Sequence, residues 1–284
     1  MVSGRLRSWP IWSVMLRYFA ELARYRDLLF WLAAKDIKVR YKLPILGFVW
    51  ALLVPLLSSG ILWLIFTYVV PTSVGRYPFF LFLIAGMFPW NFFSQSVSQA
   101  TMSVLDAGAL IKKTAFPRAV LPLAIVAANL VNFLLAMGVV LGIIVLSRIP
   151  MGWHVGILPL AIGLHALFTT GVVLLVAGLQ VRYRDIKYLT EVGLLLWFYF
   201  TPIFYPLDFV KRAPGFLQAL YRLNPLVPIM ELYRLALLGP DSHLAVASVP
   251  QLLATTMSIS IVIFLLGLSV FRRHEPAFAD WVMG

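Results

Sequence analysis

The sequence predicts an all-α membrane protein with six transmembrane helices, an N-terminal amphipathic interface helix and two short re-entrant outer helices between spans five and six. Of the 284 residues, 62% are hydrophobic and 12% are charged, about half the charged fraction of a typical soluble domain. Charges are dense from Lys35 to Lys42 and then stop until Arg76, as a long apolar run begins. A later segment, residues 206–250, is apolar but interrupted by prolines.

The N-terminal residues 1–42 are predicted to form a cytoplasmic interface segment on the membrane surface. Ile11, Met15, Phe19 and Leu22 recur at helical spacing, which is typical of a helix whose apolar face lies in the lipid surface. Because the basic residues at the end of this segment cannot enter hydrocarbon cheaply, the first span must begin directly after them.

Residues 43–284 are predicted to form one six-helix transmembrane domain. Most of its apolar runs reach the roughly 20 residues that a helix needs to cross a bilayer, whereas the fifth is shorter. In span three, Gly138-x-x-x-Gly142 permits close helix approach, although this motif is common by chance. The predicted spans are Leu43–Val70, Phe79–Val104, Ala119–Leu146, Ile157–Val181, Thr190–Tyr205 and Leu252–Phe271.

The distribution of basic residues predicts that both termini are cytoplasmic. In that orientation the inner side holds 17 of the 23 Lys and Arg residues, nine of them up to Lys42 and eight in later loops, and the outer side holds six. Cytoplasmic loops of membrane proteins carry such an excess. The net charge of +12 lies at the ends of the apolar runs, which indicates contact with anionic lipid headgroups and not with nucleic acid.

Polar residues at membrane depth are candidates for function. On span two, Asn91 and Gln95 share one helical face, with Gln99 beside them. Such amides face the interior of a helix bundle or a wet cavity. They either bond neighbouring helices, for which Asn129 and Asn132 are candidate partners, or form a polar path.

Span five ends in an aromatic run from Trp197 to Tyr205. Rings at this depth usually form an interfacial belt, and the alternative is a stacking surface for sugar rings. From the residues alone the belt is the favoured interpretation.

The inner loop between spans two and three is predicted to contain a short helix from Asp106 to Lys113. Its start is acidic and its end, Lys112-Lys113, is basic, which suits the helix dipole. The residues leave two interpretations equally open: a plain topogenic loop, or a docking helix for a cytoplasmic partner.

The segment 206–250 is too apolar for a solvated loop and too interrupted for a span. Its breaks fall at Pro214, Pro225, Pro228 and Gly239-Pro240. Two short helices that dip into the outer leaflet would explain both facts, since irregular backbone is tolerated at membrane depth where it packs on protein or lines a cavity.

The sequence contains no recognisable catalytic or metal-binding motif. It has no Cys, no G-x-x-x-x-G-K-[ST] phosphate loop and no H-E-x-x-H. Of its four scattered His residues, His165 lies within a span and is predicted to be a hydrogen-bonded packing residue. The prediction is therefore a chain that is not an enzyme and has no metal or cofactor of its own.

The alternative from another class is a membrane-embedded glycosyl- or acyltransferase. Such an enzyme generally needs a carboxylate or His near the membrane surface. The candidates on the predicted outer side do not cluster in the sequence; they are Asp208, Glu231, Asp241, His154 and His243.

Short motifs follow one another along the chain from about Tyr25. They are Tyr25-Arg26-Asp27-Leu28-Leu29, Asp36-Ile37-Lys38-Val39-Arg40-Tyr41-Lys42, Leu46-Gly47-x-x-Trp50, Gly86-x-x-Pro89-Trp90, Leu110-Ile111-Lys112-Lys113, Phe116-Pro117-Arg118 with Pro122, Val181-Arg182-Tyr183-Arg184-Asp185, Leu223-Asn224-Pro225, Tyr233-Arg234 and Leu238-Gly239. In this order, on six spans, the chain resembles the membrane subunits of type-2 ABC exporters, in the branch that exports lipid-linked polysaccharides such as O-antigen, capsule and teichoic acid. It departs from the family pattern at Thr114-Ala115 and at Gln180, and the first departure puts details of the ATPase contact in doubt.

The resemblance implies roles for three groups of residues. The coupling helix, about 104–115, and the interface segment would contact an ATPase through Asp106, Leu110, Ile111, Lys112, Lys113, Asp36, Lys38 and Arg40. The substrate path would be lined by Trp90, Asn91, Phe92, Phe93, Gln95, Gln99, Trp197, Tyr199, Phe204 and Tyr205. The outer gate helices, about 206–240, would include Asn224, Pro225, Glu231, Tyr233 and Arg234.

The resemblance also implies an assembly. Two copies of the chain would form a homodimer with two copies of a cytoplasmic ABC ATPase subunit, which would bind the ATP and Mg that this chain does not. The substrate would be a lipid-linked polysaccharide, with O-antigen glycan as the first expectation, and the location the bacterial cytoplasmic (inner) membrane. A sister alternative is a type-2 ABC exporter of drugs or small lipids, which the interface segment and the aromatic run make less favoured.

Overall fold

The computed structural model describes residues 18, 20–40, 44–69, 78–149, 152–205, 210, 214–239 and 248–278. These residues are mostly helical, which confirms the all-α prediction. The helices are α1 (Arg26–Arg40), α2 (Pro44–Leu64), α3 (Phe79–Thr101), α4 (Ser103–Asp106), α5 (Gly108–Lys113), α6 (Val120–Leu146), α7 (Leu158–Arg182), α8 (Ile186–Tyr199), α9 (Gly215–Leu223), α10 (Leu226–Leu238) and α11 (Val249–His274). A π-helical turn (Ile65–Val69) extends α2, and 3₁₀ turns precede α7 (Trp153–Ile157) and follow α11 (Glu275–Ala277).

Five segments in the described part of the chain are long and apolar enough to cross a membrane, as expected of a multi-pass membrane protein. They are Leu52–Val69, Phe79–Thr101, Val120–Leu146, Trp153–Arg182 and Val249–Ala277, and they correspond to predicted spans one to four and six. At the position of the predicted fifth span, α8 has 14 residues. It is therefore about 21 Å long, shorter than the roughly 30 Å of the hydrocarbon core.

Contacts between distant residues show the directions of the helices. Helices α3 and α6 are antiparallel, since Phe92 stacks on Phe133 at 5.1 Å and Gln99 contacts Asn129. Helices α7 and α11 are parallel: the backbone near Gly171 faces Ile263, and Gly178, further along α7, faces Phe271.

The closest helix contact is the crossing of α7 and α11. A Cβ atom added to Gly267 would lie 1.9 Å from the carbonyl oxygen of Gly171. One added to Gly171 would lie 2.6 Å from the backbone of Ile263. Because a real Cβ cannot approach backbone atoms so closely, glycine is required on both sides of this crossing.

The core has two main parts. The larger part is formed by α3, α6, α7 and α10 around fully buried side chains such as Phe93, Phe168 and Tyr233. A second cluster gathers at the end of the bundle that carries Lys112, called here the Lys112 end. Its members include Tyr18, Val104, Ile111, Val181, Phe271 and Phe278.

Helix α1 lies against α6 through small side chains. Ala33 packs with Ala124 and Ala128, and these alanines let the two helices approach closely. Helix α1 also exposes Phe30 and Trp31. Of the apolar face predicted for the N-terminal segment, Ile11, Met15 and Phe19 lie outside the described residues.

Two short helices, α9 and α10, occupy the segment that was predicted to hold two re-entrant helices. Helix α9 exposes Phe216 and Leu223, whereas α10 is buried along most of its length. The burial of α10 in the main core accounts for the apolar character of this segment.

Candidate functional site

The α4–α5 region presents charged side chains at the Lys112 end. The helix predicted from Asp106 to Lys113 is divided at Ala107 into α4 and α5. Asp106, Lys112 and Lys113 are exposed, Leu110 is half-buried and Ile111 is buried. Ile111 thereby anchors α5 in the second cluster while both lysines stay on the surface.

At the same end, Glu275 joins distant parts of the chain. Its Oε1 accepts a hydrogen bond from the Arg118 backbone N–H at 2.7 Å, and its Oε2 accepts one from the Tyr18 hydroxyl at 3.0 Å. The Arg272 guanidinium lies over the Tyr18 ring, 4.6 Å from its centroid. Burial, and then the nearby carboxylate, raise the pKa of the Tyr18 hydroxyl, so Tyr18 remains a hydrogen-bond donor at neutral pH. These residues border a cavity of about 530 Å³.

The predicted interface residues of α1 lie on the helix that packs against α6. Lys38 is exposed and Asp36 is half-buried, and Arg40 is the last residue of the helix. The residue before α1, Tyr25, donates a hydrogen bond from its hydroxyl to the Ala115 carbonyl oxygen at 3.3 Å. The N-terminal segment is thus connected to the loop that follows α5.

A groove lined by amide side chains lies between α2, α3 and α6. This amide groove is formed by Asn91, Gln95, Asn129 and Asn132, and it encloses about 220 Å³. Aromatic and apolar side chains complete its wall; they include Leu52, Pro55, Phe88, Phe92 and Phe133.

The amides in and beside this groove differ in their bonding. Asn129 donates to the Gln99 side-chain oxygen at 3.1 Å, so this pair bonds two helices, as one of the two interpretations predicts. The Asn91 Nδ2 atom is buried and has no hydrogen-bond partner among the described residues. Because a buried donor without a partner is costly, Asn91 is suited to bind a polar group that enters the groove.

The predicted aromatic path residues of α3 pack inside the bundle. Trp90, Phe92 and Phe93 are 7%, 4% and 0% exposed. Phe93 contacts Phe168 and Trp197, with ring centroids 5.6 and 5.3 Å away. In the single chain, Trp90 and Phe93 therefore belong to the packing behind the groove, while Phe92 borders it.

The aromatic run that begins in the last turn of α8 is held by hydrogen bonds. Trp197 donates from Nε1 to the Asn224 side-chain oxygen at 2.8 Å. The Tyr205 hydroxyl donates to the Tyr199 carbonyl oxygen at 2.8 Å and also bonds the Tyr221 hydroxyl. The Tyr199 side chain is 57% exposed, and Phe204 is half-buried beside it.

Asn224 joins the end of α8 to the start of α10. Its Oδ1 accepts hydrogen bonds from Trp197 Nε1 and from the Leu226 backbone N–H, at 2.8 and 3.0 Å. Its Nδ2 donates to the Phe200 carbonyl oxygen and the Thr201 hydroxyl, at 2.9 and 3.1 Å. Pro225 follows as the N-cap residue of α10.

Arg234 and Glu231 are buried charged residues on α10. The Arg234 Nη2 atom donates to the carbonyl oxygens of Pro202 and Ile203 at 2.6 and 2.9 Å, and its guanidinium lies 3.6 Å from the centroid of the Phe82 ring. These contacts offset the cost of removing the cation from water. Glu231 lies one helical turn earlier and is also buried.

Tyr233 reaches from α10 to α7. Its hydroxyl lies 3.2 Å from His165 Nδ1, and Phe92 and Phe133 pack against the imidazole edge to face. His165 is therefore the hydrogen-bonded packing residue that the sequence predicts.

Sequence reasoning missed the cluster around Glu275. Tyr18 and Glu275 are separated by 257 residues, and neither belongs to a motif. The available signal was a lone carboxylate two residues after the basic Arg272-Arg273 pair at the end of the last span.

Comparisons with known proteins agree with the arrangement of these elements. Residues 27–238 match the profile of the ABC-2 type transporter family. The O-antigen export system permease protein RfbA of Myxococcus xanthus is 31% identical over 269 residues, which cover 94% of this chain and 99% of that protein. A protein of the same name from Klebsiella pneumoniae is 32% identical over 271 residues, with the same coverage.

Proposed function

Because this chain belongs to the ABC-2 type transporter family, we propose that it is the membrane-spanning subunit of an ATP-driven exporter that moves a lipid-linked polysaccharide of the O-antigen type across the bacterial inner membrane. The observation that carries the substrate assignment is the match to O-antigen export permeases over 94% of the chain. Since these relatives are named as transport permeases, the transferase alternative is set aside.

The proposed topology has six passages and two cytoplasmic termini. Helices α7 and α11 are parallel, so the chain must return from the end of α7 at Arg182 to the start of α11 at Val249. Helix α8 and the aromatic run after it are the segment available for this return. A short helix can complete a crossing where the irregular backbone that follows packs on protein, and the bonds of Asn224 to Phe200 and Thr201 supply that packing.

The proposed ATPase contact is the surface of α4 and α5. Lys112 and Lys113 are exposed, and Ile111 anchors the helix in the second cluster. A charged helix that packs on the ends of several spans can pass a movement of a bound cytoplasmic subunit to those spans. In this arrangement ATP and Mg bind to the partner subunit, and two copies of each subunit form the transporter.

The proposed sugar contacts are the amide groove and three rings at the end of α8 and just after it. Amides both donate and accept hydrogen bonds, which matches the hydroxyl groups of an uncharged glycan. Asn91, Gln95, Tyr199, Phe204 and Tyr205 are the residues proposed to touch it. Phe92 forms part of the groove wall, Trp90, Phe93 and Trp197 support these residues from behind, and Gln99 holds Asn129 in place.

The proposed outer gate consists of α9 and α10. Asn224 and Arg234 bond α10 to the chain after α8. A movement of α10 would therefore also displace the aromatic run. Tyr233 connects the same helix to α7 through His165.

Co-purification with the ATPase subunit, followed by ATP hydrolysis in lipid nanodiscs, tests this proposal. We expect a two-plus-two complex whose hydrolysis changes when lipid-linked glycan extracted from the producing cells is added. Lys112→Glu with Lys113→Glu should lower recovery of the ATPase about tenfold, because charge reversal at an interface is costly. Arg184→Glu with Lys187→Glu is the matched control, since both residues are exposed at the Lys112 end. A chain that purifies without an ATPase would overturn the proposal.

A further inference from the structure

We propose that Glu275 is a positioning residue that ties the loop after α5 to the end of α11 and to the N-terminal segment, so that a displacement of α5 is passed to both. The inference rests on the proposed function, because it assigns a role in transport to residues outside the ATPase contact and the sugar contacts. Four residues, Glu275, Arg118, Tyr18 and Arg272, form this junction, called here the Glu275 junction.

The first half of the junction lies at the start of α6. Ala119 occupies the N-cap position of α6 and has no side-chain acceptor of its own. The Glu275 carboxylate lies beside this helix start and accepts the backbone N–H of Arg118, the residue before the N-cap, at 2.7 Å. The Arg118 side chain returns a bond from Nη1 to the Glu275 carbonyl oxygen at 3.5 Å. A carboxylate at a helix start is favoured by the helix dipole, so this contact couples α6 to α11 through charge as well as geometry.

The second half of the junction joins the N-terminal segment. The Tyr18 hydroxyl donates to the other carboxylate oxygen at 3.0 Å, and Arg272 covers the Tyr18 ring. Seven residues later, Tyr25 donates to the Ala115 carbonyl oxygen. The N-terminal segment therefore contacts both the end of α11 and the loop after α5.

The path from α5 to the junction is short. Thr114 to Pro117 connect α5 to Arg118, and the Pro117 side chain is buried. A displacement of α5 is therefore passed to Arg118, whose backbone N–H is bonded to Glu275. Because a single carboxylate accepts from Arg118 and Tyr18 together, its loss removes the bond that both share with the end of α11 and leaves every residue of α5 in place.

The test compares glycan transported per ATP hydrolysed, in proteoliposomes that hold the full complex and lipid-linked glycan extracted from the producing cells. Glu275→Ala should keep ATPase co-purification and basal ATP hydrolysis but lower glycan transported per ATP about tenfold, a typical size for coupling between sites. Glu275→Gln should restore most of the loss, because its amide can accept from Arg118 N–H and donate to the Tyr18 oxygen. A role in folding alone would lower recovery of the complex and leave the ratio of transport to hydrolysis unchanged.

Tyr18→Phe gives a second test that leaves the ring packing in place. It should lower glycan transported per ATP in the same direction as Glu275→Ala, and the double variant should be no worse than Glu275→Ala alone. Tyr188→Phe is the control, since the Tyr188 side chain is 65% exposed on α8.

Two negative results have different meanings. If the wild-type complex transports glycan and Glu275→Ala matches its transport per ATP, the junction proposal is overturned and the exporter proposal stands. If the wild-type complex hydrolyses ATP and moves no glycan, the exporter proposal fails, and the junction proposal fails with it.

Discussion

At the scale of single residues, Asn224 shows how one amide can join two helices. Its four hydrogen bonds reach Trp197, Phe200, Thr201 and Leu226, so both its donor and its acceptor capacity are used. Asn224→Ala should leave the Trp197 N–H and the Leu226 N–H without acceptors, at a cost of about 2–4 kcal/mol. We expect the thermal unfolding midpoint, followed by tryptophan fluorescence in nanodiscs, to fall by about 5 °C or more.

Gln251→Ala is the matched control for this amide deletion. Gln251 is exposed and accepts a hydrogen bond from the Ser248 N–H at the start of α11. Its loss should cost about 1 kcal/mol or less. Equal midpoints for Asn224→Ala and Gln251→Ala would show that the Asn224 bonds do not hold α10 in place.

Tyr199 and Trp197 separate a role in transport from a role in packing. Tyr199 is 57% exposed, whereas Trp197 is half-buried and bonded to Asn224. Tyr199→Ala should leave the unfolding midpoint unchanged and reduce glycan transport about fivefold, the value of one aromatic contact. Trp197→Ala should lower the midpoint as well as transport. Normal transport by Tyr199→Ala would assign this ring to an interfacial belt.

At the scale of helices, glycine decides where α7 and α11 can meet. Gly267→Ala would place a methyl group 1.9 Å from the Gly171 carbonyl oxygen, which backbone atoms cannot avoid without separating the helices. We expect a loss of about 3 kcal/mol, at the upper end for overpacked sites, measured as a lower unfolding midpoint and reduced yield. Gly163→Ala on α7 is the control. A Cβ there meets no atom within 4 Å, so the change should be neutral or stabilising.

Sequence patterns predicted helix boundaries well where charges flank an apolar run. Span three was expected at Ala119–Leu146, and α6 covers Val120–Leu146. The fifth boundary was wrong, because the aromatic run to Tyr205 resembled a continuing helix while α8 ends at Tyr199. Pro202 cannot donate a helical hydrogen bond, and the Thr201 hydroxyl bonds back to the Trp197 carbonyl oxygen. The sequence shows Thr201 and Pro202, but it does not show that these two residues end the helix although the apolar run continues.

The same limit applies to helix packing. Gly138-x-x-x-Gly142 matched the pattern for close approach, yet a Cβ on either residue would meet no atom within 4 Å in the described part of the chain. The close crossing uses Gly171 and Gly267, which lie on different helices and share no local motif. Polar residues gave a partner for Gln99 in Asn129 on the next span, but residue type and spacing did not show that Gly171 and Gly267 meet, because the pattern of small residues describes one helix at a time.

At the scale of the whole molecule, the Glu275 junction bears on the number of passages. Glu275 contacts Tyr18 and the start of α6, so the end of α11 lies with the N-terminal segment at one end of the bundle. Five passages would separate these two ends, since each passage changes sides. An even number brings them together, as in the proposed six-passage topology, in which the segment from α8 to α9 crosses the membrane.

Single cysteines measure this crossing directly, because the chain contains no Cys of its own. Lys113→Cys, Lys187→Cys and Arg273→Cys lie at exposed positions of the Lys112 end, and Trp153→Cys and Phe216→Cys lie at exposed positions proposed to face outward. A membrane-impermeant thiol reagent applied to intact cells should label Cys at 153 and 216, and should label the other three only after permeabilisation. With six passages, positions 187 and 216 face opposite sides, because α8 lies between them. If both were protected, or both labelled, in intact cells, α8 would not cross, and the chain would have five passages with its termini on opposite sides.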